Sequence, residues 1–230
     1  MATPSVSTLP RLKNGDRLTR HEFEQRYQAM PGIKKAELIE GKVYMPSPVH
    51  ANAHARPQNI IAGWLMTYDA HTPGVLSYDN ATVQLDLDNE PQPDALLRID
   101  ETCGGQSRIN DDDYIEGAPE LVVEVAHSSA AYDLHDKKRA YRRNGVQEYV
   151  VWQIAEARLD WFQLDSGAYT AQPLDEDGCL HSAVFPGLVL DGKALLSDDP
   201  AAVLTRLNEA LGGAAHRDFV SQLEEARSDA

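Results

Sequence analysis

Cysteine is scarce: Cys103 and Cys179 are the two in 230 residues, far apart and without a metal-type spacing. A disulfide framework is thereby unsupported as the organising device of the chain, and reduced thiols are expected. Long hydrophobic runs are also missing, and no stretch approaches the roughly 20 apolar residues of a membrane-spanning helix. The segment from Met1 to Ser7 lacks the basic stretch and apolar core of a secretion signal. A cytoplasmic location without membrane association is therefore expected. Positive charge is in short supply, with 21 Lys and Arg against 36 Asp and Glu and a net charge of -15. Non-specific adhesion to nucleic acid needs clustered cations that displace counterions, so any nucleic-acid role must rest on a local site.

What is present is globular: 42% of the residues are hydrophobic and 25% charged. The length suits one domain with appendages. We divide the chain into a disordered Pro/Ser-rich tail over residues 1–17, a domain over 18–198 and a helical tail over 199–230. Thr19 to Glu22 has the form of a capping box and opens a short helix through Phe23 and Tyr27. Glu37 to Met45 carries apolar residues on both sides of Gly41, the pattern of a hairpin, with Pro46 and Pro48 to end it. Ile61, Trp64, Leu65 and Tyr68 recur at helical spacing and predict an amphipathic helix from about Asn52, with Pro57 in its first turn, that buries the four to different degrees against the sheet with Trp64 in the core. Strands follow at Val75–Tyr78, along the alternation Val83, Leu85, Leu87, and at Pro93–Ile99. Further on come a helix from Asp133 to Arg143 stopped by Asn144-Gly145, a strand at Glu148–Ile154 and a hairpin around Asp165-Ser-Gly167. The expected fold is α/β, with a mixed central sheet flanked by helices.

The anomaly lies in Gly117-Ala-Pro-Glu-Leu-Val-Val-Glu-Val-Ala126, where Glu124 interrupts an apolar run on the same face as Val122. Continuous apolar character predicts a strand covered on both sides. A buried, ionised carboxylate there costs several kcal/mol unless a cation or hydrogen-bond donors offset it. The alternative is an edge strand with Glu124 in water. Asp94, which follows Pro93 at the start of one strand, Glu124 in the next, and Lys137 on the helix after it form a candidate constellation. Two carboxylates from neighbouring strands can hold a hard cation such as Mg²⁺ (or Mn²⁺), and a nearby lysine can orient water or steady the charge on a phosphate. Each residue also has an ordinary reading, as a strand-starting turn residue or a solvated helix lysine. The basic run from Lys137 to Arg143, including Lys138 and Arg142, reads as a solvated helix face or as a strip that contacts phosphates.

Taken in order, Glu37-Leu-Ile-Glu-Gly-Lys-Val-Tyr-Met45, Gln92-Pro-Asp94, Gly117 to Val125, Tyr132-Asp-Leu-His-Asp-Lys137, Tyr141 and Gly145-Val-Gln-Glu-Tyr149 resemble the Uma-type putative restriction endonucleases, within the PD-(D/E)XK nuclease-like fold. The resemblance spans roughly residues 18 to 190. It implies a restriction-endonuclease-like domain with Asp94 and Glu124 as metal ligands, Lys137 as the catalytic lysine, Glu37 as a further ligand and His54 as an accessory group. One departure from the wider fold stands out: Glu124-Val-Ala126 lacks the lysine usually found two residues after the acid, so the helix residue Lys137 would replace it, with Lys138 the nearest substitute.

Two functions of different class follow. The first is a Mg²⁺-dependent endonuclease acting on duplex DNA, expected to be a homo-oligomer because two copies of a small acidic domain can hold a longer duplex. The second is a catalytically idle nuclease-fold protein used for binding or assembly. The complete Asp94, Glu124, Lys137 set favours the first and the negative total charge the second. Hydrolysis of RNA or of a nucleotide is a third reading of the same groups.

Overall fold

The computed structural model describes residues 9–45, 51–127 and 132–229. Pro46 and Pro48, which the sequence placed at the end of the hairpin, lie outside them. The chain forms α1 (Arg20–Gln28), β1 (Glu37–Ile39), β2 (Lys42–Tyr44), α2 (Arg56–His71), β3 (Val75–Asp79), β4 (Val83–Gln84), β5 (Ala95–Ile99), β6 (Arg108–Ile109), β7 (Ile115–Glu116) and β8 (Leu121–Ala126). There follow α3 (Lys138–Asn144), β9 (Glu148–Gln153), β10 (Arg158–Asp165), β11 (Ala168–Ala171), β12 (Cys179–His181), β13 (Val189–Asp191), α4 (Gly192–Leu196), α5 (Pro200–Leu211) and α6 (Ala214–Asp229). Wide π-type turns, Ala51–Ala55 and Asp133–Lys137, lead into α2 and α3. No helix among the described residues is long and apolar enough to cross a membrane.

The central sheet has the order β11-β10-β9-β8-β5-β3, with β8 and β9 parallel and the other neighbours antiparallel. This is the expected mixed α/β arrangement. A parallel pair needs a crossover, and the 133–144 helical segment supplies it between β8 and β9. All six residues of β8 are buried because layers cover both of its faces. Leu121, Val123 and Val125 pack with Ile61, Trp64, Leu65 and Tyr68 of α2, while Val122 and Ala126 pack with Tyr141, Tyr149 and Val151 on the other side. The edge-strand reading of Glu124 is thus excluded: its strand is interior.

Local chemistry explains the flanking elements. The capping box is present, with Thr19 accepting from the Glu22 backbone and Glu22 reaching back to Thr19. Both hairpins turn through paired residues of positive φ, Glu40 (52°) with Gly41 (69°) and Ser166 (48°) with Gly167 (81°), the left-handed geometry that two-residue hairpins require. Pro57 stands in the first turn of α2, where no backbone donor is lost.

Four expectations need correction. The strand at Val83 ends at Gln84, and Leu87 is 76% exposed, because Asp86 accepts hydrogen bonds from the Asp88 backbone and the Asn89 amide and turns the chain. Disorder does not reach residue 17: Leu12 is buried, and Gly15 donates to the Val43 carbonyl while Asp16 accepts from the Val43 amide. The C-terminal helices do not trail away, since Val203, Leu207, Phe219 and Leu223 join the α2-side core. Finally, Ile61, Trp64, Leu65 and Tyr68 were expected to be buried to different degrees, yet all four are almost wholly enclosed, because α2 lies between the sheet and α5.

At the base of α1, Glu90 is buried with Glu24 beside it, and burial followed by that neighbouring carboxyl raises its pKa to about 9. The folded state therefore keeps a proton that the unfolded chain releases near pH 4.5. Stability from this group is complete below that pH and is lost as pH rises toward about 9. Glu90→Gln should flatten the fall in stability between pH 5 and 9, at most about 1.4 kcal/mol per pH unit. Urea titrations of the two proteins across that range, if parallel, would show that Glu90 titrates normally.

Candidate active site

Pairing register places the acids together. Ala95 lies opposite Val123 in the antiparallel β5–β8 pair, so Asp94 stands opposite Glu124. Side chains alternate along a strand. Ala95 and Val123 face α2, and Leu96 and Val122 face the opposite side. Asp94 and Glu124 therefore share the side that carries the 133–144 helical segment.

Along that segment Asp133, Lys137 and Tyr141 are spaced four residues apart and all three are buried. Lys137 Nζ lies 2.8 Å from Glu124 Oε1, 2.9 Å from Glu37 Oε1 and 3.9 Å from Asp133 Oδ1. The Tyr141 hydroxyl donates to Glu124 Oε1 at 2.9 Å. Glu37 also accepts from the Gln92 backbone at 2.8 Å. The cost of burying Glu124 is thus offset by an ammonium and a phenol. Burial still pushes its pKa up to about 8 against the pull of Lys137. Burial opposes the charge on Lys137 too, but Glu124 and Glu37 hold its pKa well above the usual lysine value.

Asp94 is tied into the sheet through Oδ2, which accepts from the Val125 backbone at 2.8 Å. His54 Nε2 stands 3.5 Å from the same oxygen and Lys35 Nζ 3.4 Å from Oδ1. Burial works against this carboxylate, yet the His54 contact and the charges of Lys35 and Lys137 hold its pKa down to about 2. In return, Asp94 raises the pKa of His54. His54 and Lys137 both sit in the π-type turns, local irregularities that often mark functional sites.

The structure thus gathers Asp94, Glu124, Lys137, Glu37 and His54. It does not bring Lys138 and Arg142 to them. Lys138 Nζ lies 3.2 Å from the centre of the Phe162 ring, and Arg142 donates to the Gly167 carbonyl at 2.6 Å. Arg143 pairs with Glu40, and Arg139 with Asp136. The basic run is therefore spread over several neighbours rather than presented as one strip. Sequence reasoning gave no role to Lys35, which comes to Asp94 from 59 residues away. It assigned none to Asp133 or Tyr141 either, although their spacing with Lys137 was a legible signal.

The donor set is carboxylate oxygen, suited to a hard cation. Among the described residues no three His, Cys, Asp or Glu side chains converge in a metal-holding arrangement. Two protein carboxylates with water completing the shell is the usual provision for Mg²⁺, and Asp94 and Glu124, opposite one another on adjacent strands, are donors of that type.

A family model described as Uma2, Putative restriction endonuclease, matches residues 21–193. The crystal structure of a putative nuclease belonging to DUF820 from Anabaena variabilis ATCC 29413 is similar in fold. It has a TM-score of 0.53 and 17% sequence identity, with 70% of this chain and 89% of that chain covered. No curated protein matches the chain.

Proposed function

Because the chain belongs to the Uma2 family of putative restriction endonucleases, we propose that it is a nuclease that hydrolyses phosphodiester bonds of duplex DNA with Mg²⁺ or Mn²⁺. The observation that carries this reading is the pair of buried carboxylates, Asp94 and Glu124, on one side of adjacent strands with Lys137 Nζ 2.8 Å from Glu124. Asp94 and Glu124 would hold the cation. Such an ion supplies Lewis acidity toward a phosphoryl oxygen.

The residues themselves divide the remaining work. Hydrolysis joins a water oxygen to phosphorus and releases an alcohol, with the water's proton passing to the departing alkoxide through solvent. Asp94 enters ionised, held by the Val125 amide and His54. Lys137 is only 3% exposed and is engaged by three carboxylates, which supports a positioning role for it. It fixes Glu124 and Glu37 and offsets their charge rather than reaching the phosphate. Glu37 in turn anchors Lys137 to the Gln92 backbone.

A nicking assay tests the reading. The purified protein should convert supercoiled plasmid to open-circular and linear forms with Mg²⁺ or Mn²⁺, and a chelator should stop it. Cleavage of RNA but not plasmid would move the substrate to RNA. Inertness toward plasmid, single-stranded DNA and RNA would leave the idle binding or assembly protein, the reading that the net charge of -15 favours. We also propose a homo-oligomer, since a second copy would lengthen the track for an otherwise acidic protein. Light scattering at the mass of one chain would refute it.

A further inference from the structure

We propose that Lys35 is the substrate-facing lysine of this site and contacts a phosphate oxygen of the nucleic-acid strand beside Asp94. The inference rests on the nuclease reading and assigns a residue that the sequence motifs did not mark. Its basis is a comparison of the two lysines around the acids. Lys137 is enclosed, with contacts of 2.8 and 2.9 Å to Glu124 and Glu37, the lengths of strong charge-assisted hydrogen bonds. A phosphate approaching from solvent could reach it only by dismantling a buried ion cluster.

Lys35 differs on each count. Its side chain is 23% exposed, and its contacts are long, 3.4 Å to Asp94 Oδ1 and 3.2 Å to Asn80 Oδ1. It is held near Asp94 but not saturated by it. A lysine is a compact point charge with three donors, suited to a phosphate oxygen while keeping one contact to a neighbour. His54 approaches Asp94 through its other oxygen, Oδ2, so Lys35 and His54 flank the carboxylate. A bound polyanion would meet Lys35 at the half-open rim, where charge developing on the phosphoryl group is steadied.

The neighbouring Lys34 provides an internal control. It carries the same charge one position earlier and is exposed, and its described contact is a backbone carbonyl that accepts from Tyr27. The test compares the parent with Lys35→Met, Lys35→Arg and Lys34→Met. Binding of a short DNA duplex is read by fluorescence anisotropy over a salt series, with Ca²⁺ replacing Mg²⁺ to suppress turnover. Lys35→Met should reduce the slope of log affinity against log salt by about 0.9, one phosphate contact. Lys35→Arg should retain the slope, and Lys34→Met should match the parent. With Mg²⁺, kcat for Lys35→Met should fall on the order of 10², with only a small drop in melting temperature from the lost pairing with Asp94. An unchanged slope in Lys35→Met, or an equal drop in Lys34→Met, overturns the inference even if the parent cleaves. A slope change confined to Lys35 in a parent that never cleaves supports the phosphate contact and separates it from the failed nuclease reading.

Discussion

Asp94→Asn is expected to lower Mg²⁺-dependent cleavage by at least about 100-fold and to weaken Mg²⁺ binding in parallel. Loss of a group that merely supports a ligand costs ~10- to 100-fold, and a ligand's own charge is worth more to a hard ion. The amide can still accept from Val125, so the fold should survive. One stability contribution should disappear. Asp94 has a pKa held down to about 2 from an ordinary 3.8, so its stabilisation is complete above pH 3.8 and is lost as pH falls toward 2.

Lys137→Met should act differently. It leaves Glu124 and Glu37 buried without their ammonium, which costs about 3–5 kcal/mol. It should also reduce cleavage by ~10- to 100-fold, the loss expected when a group that positions a metal-holding carboxylate is removed. Mg²⁺ affinity should be kept or raised, because a competing positive charge has gone, and added Mg²⁺ should restore part of the stability by mass action. Lys138→Met should do far less, since that side chain covers Phe162. Calorimetry, urea unfolding and plasmid nicking on the three variants decide the matter. Asp94→Asn with parental metal affinity would dismiss the metal assignment. Lys137→Met with parental stability would show that the buried cluster does not need its ammonium.

Trp64→Ala should destabilise the protein by about 3–5 kcal/mol, the range for removing a large buried aromatic. Trp64 is fully enclosed, meets Trp161 edge-on at 6.1 Å and donates from its indole nitrogen to the Val189 carbonyl at 2.9 Å. That bond joins α2 to β13, so the substitution opens a cavity and strands a buried acceptor together. For a chain of this size the melting temperature should fall by roughly 2–4 °C per kcal/mol. A shift of only a degree or two would mean that the layers around Trp64 collapse to refill the space. Trp64→Phe keeps most of the volume and loses the hydrogen bond, and should fall between.

Local spacing made much of this protein legible. Asp133, Lys137 and Tyr141 line one side of their segment because four-residue spacing brings side chains together on a helix. Trp64 and its neighbours are core for the same reason. Thr19 with Glu22, and Gly41 and Gly167 in their turns, act within a few residues of chain, where sequence alone sets the geometry. Glu124 inside an apolar run called for a compensating partner only if its strand is interior, and the burial of all six residues of β8 decided that it is. Only the tertiary structure decided who that partner is and what it can do. Strand register set Asp94 opposite Glu124, and closure of long loops brought Glu37 to Lys137 and Lys35 to Asp94. Long-range pairing of this kind leaves no periodic trace. Burial then settled the two lysines apart: identical in sequence chemistry, one is sealed among carboxylates and the other stands half-open at the rim. The difference depends on the layers that cover each residue, not on its neighbours in the chain.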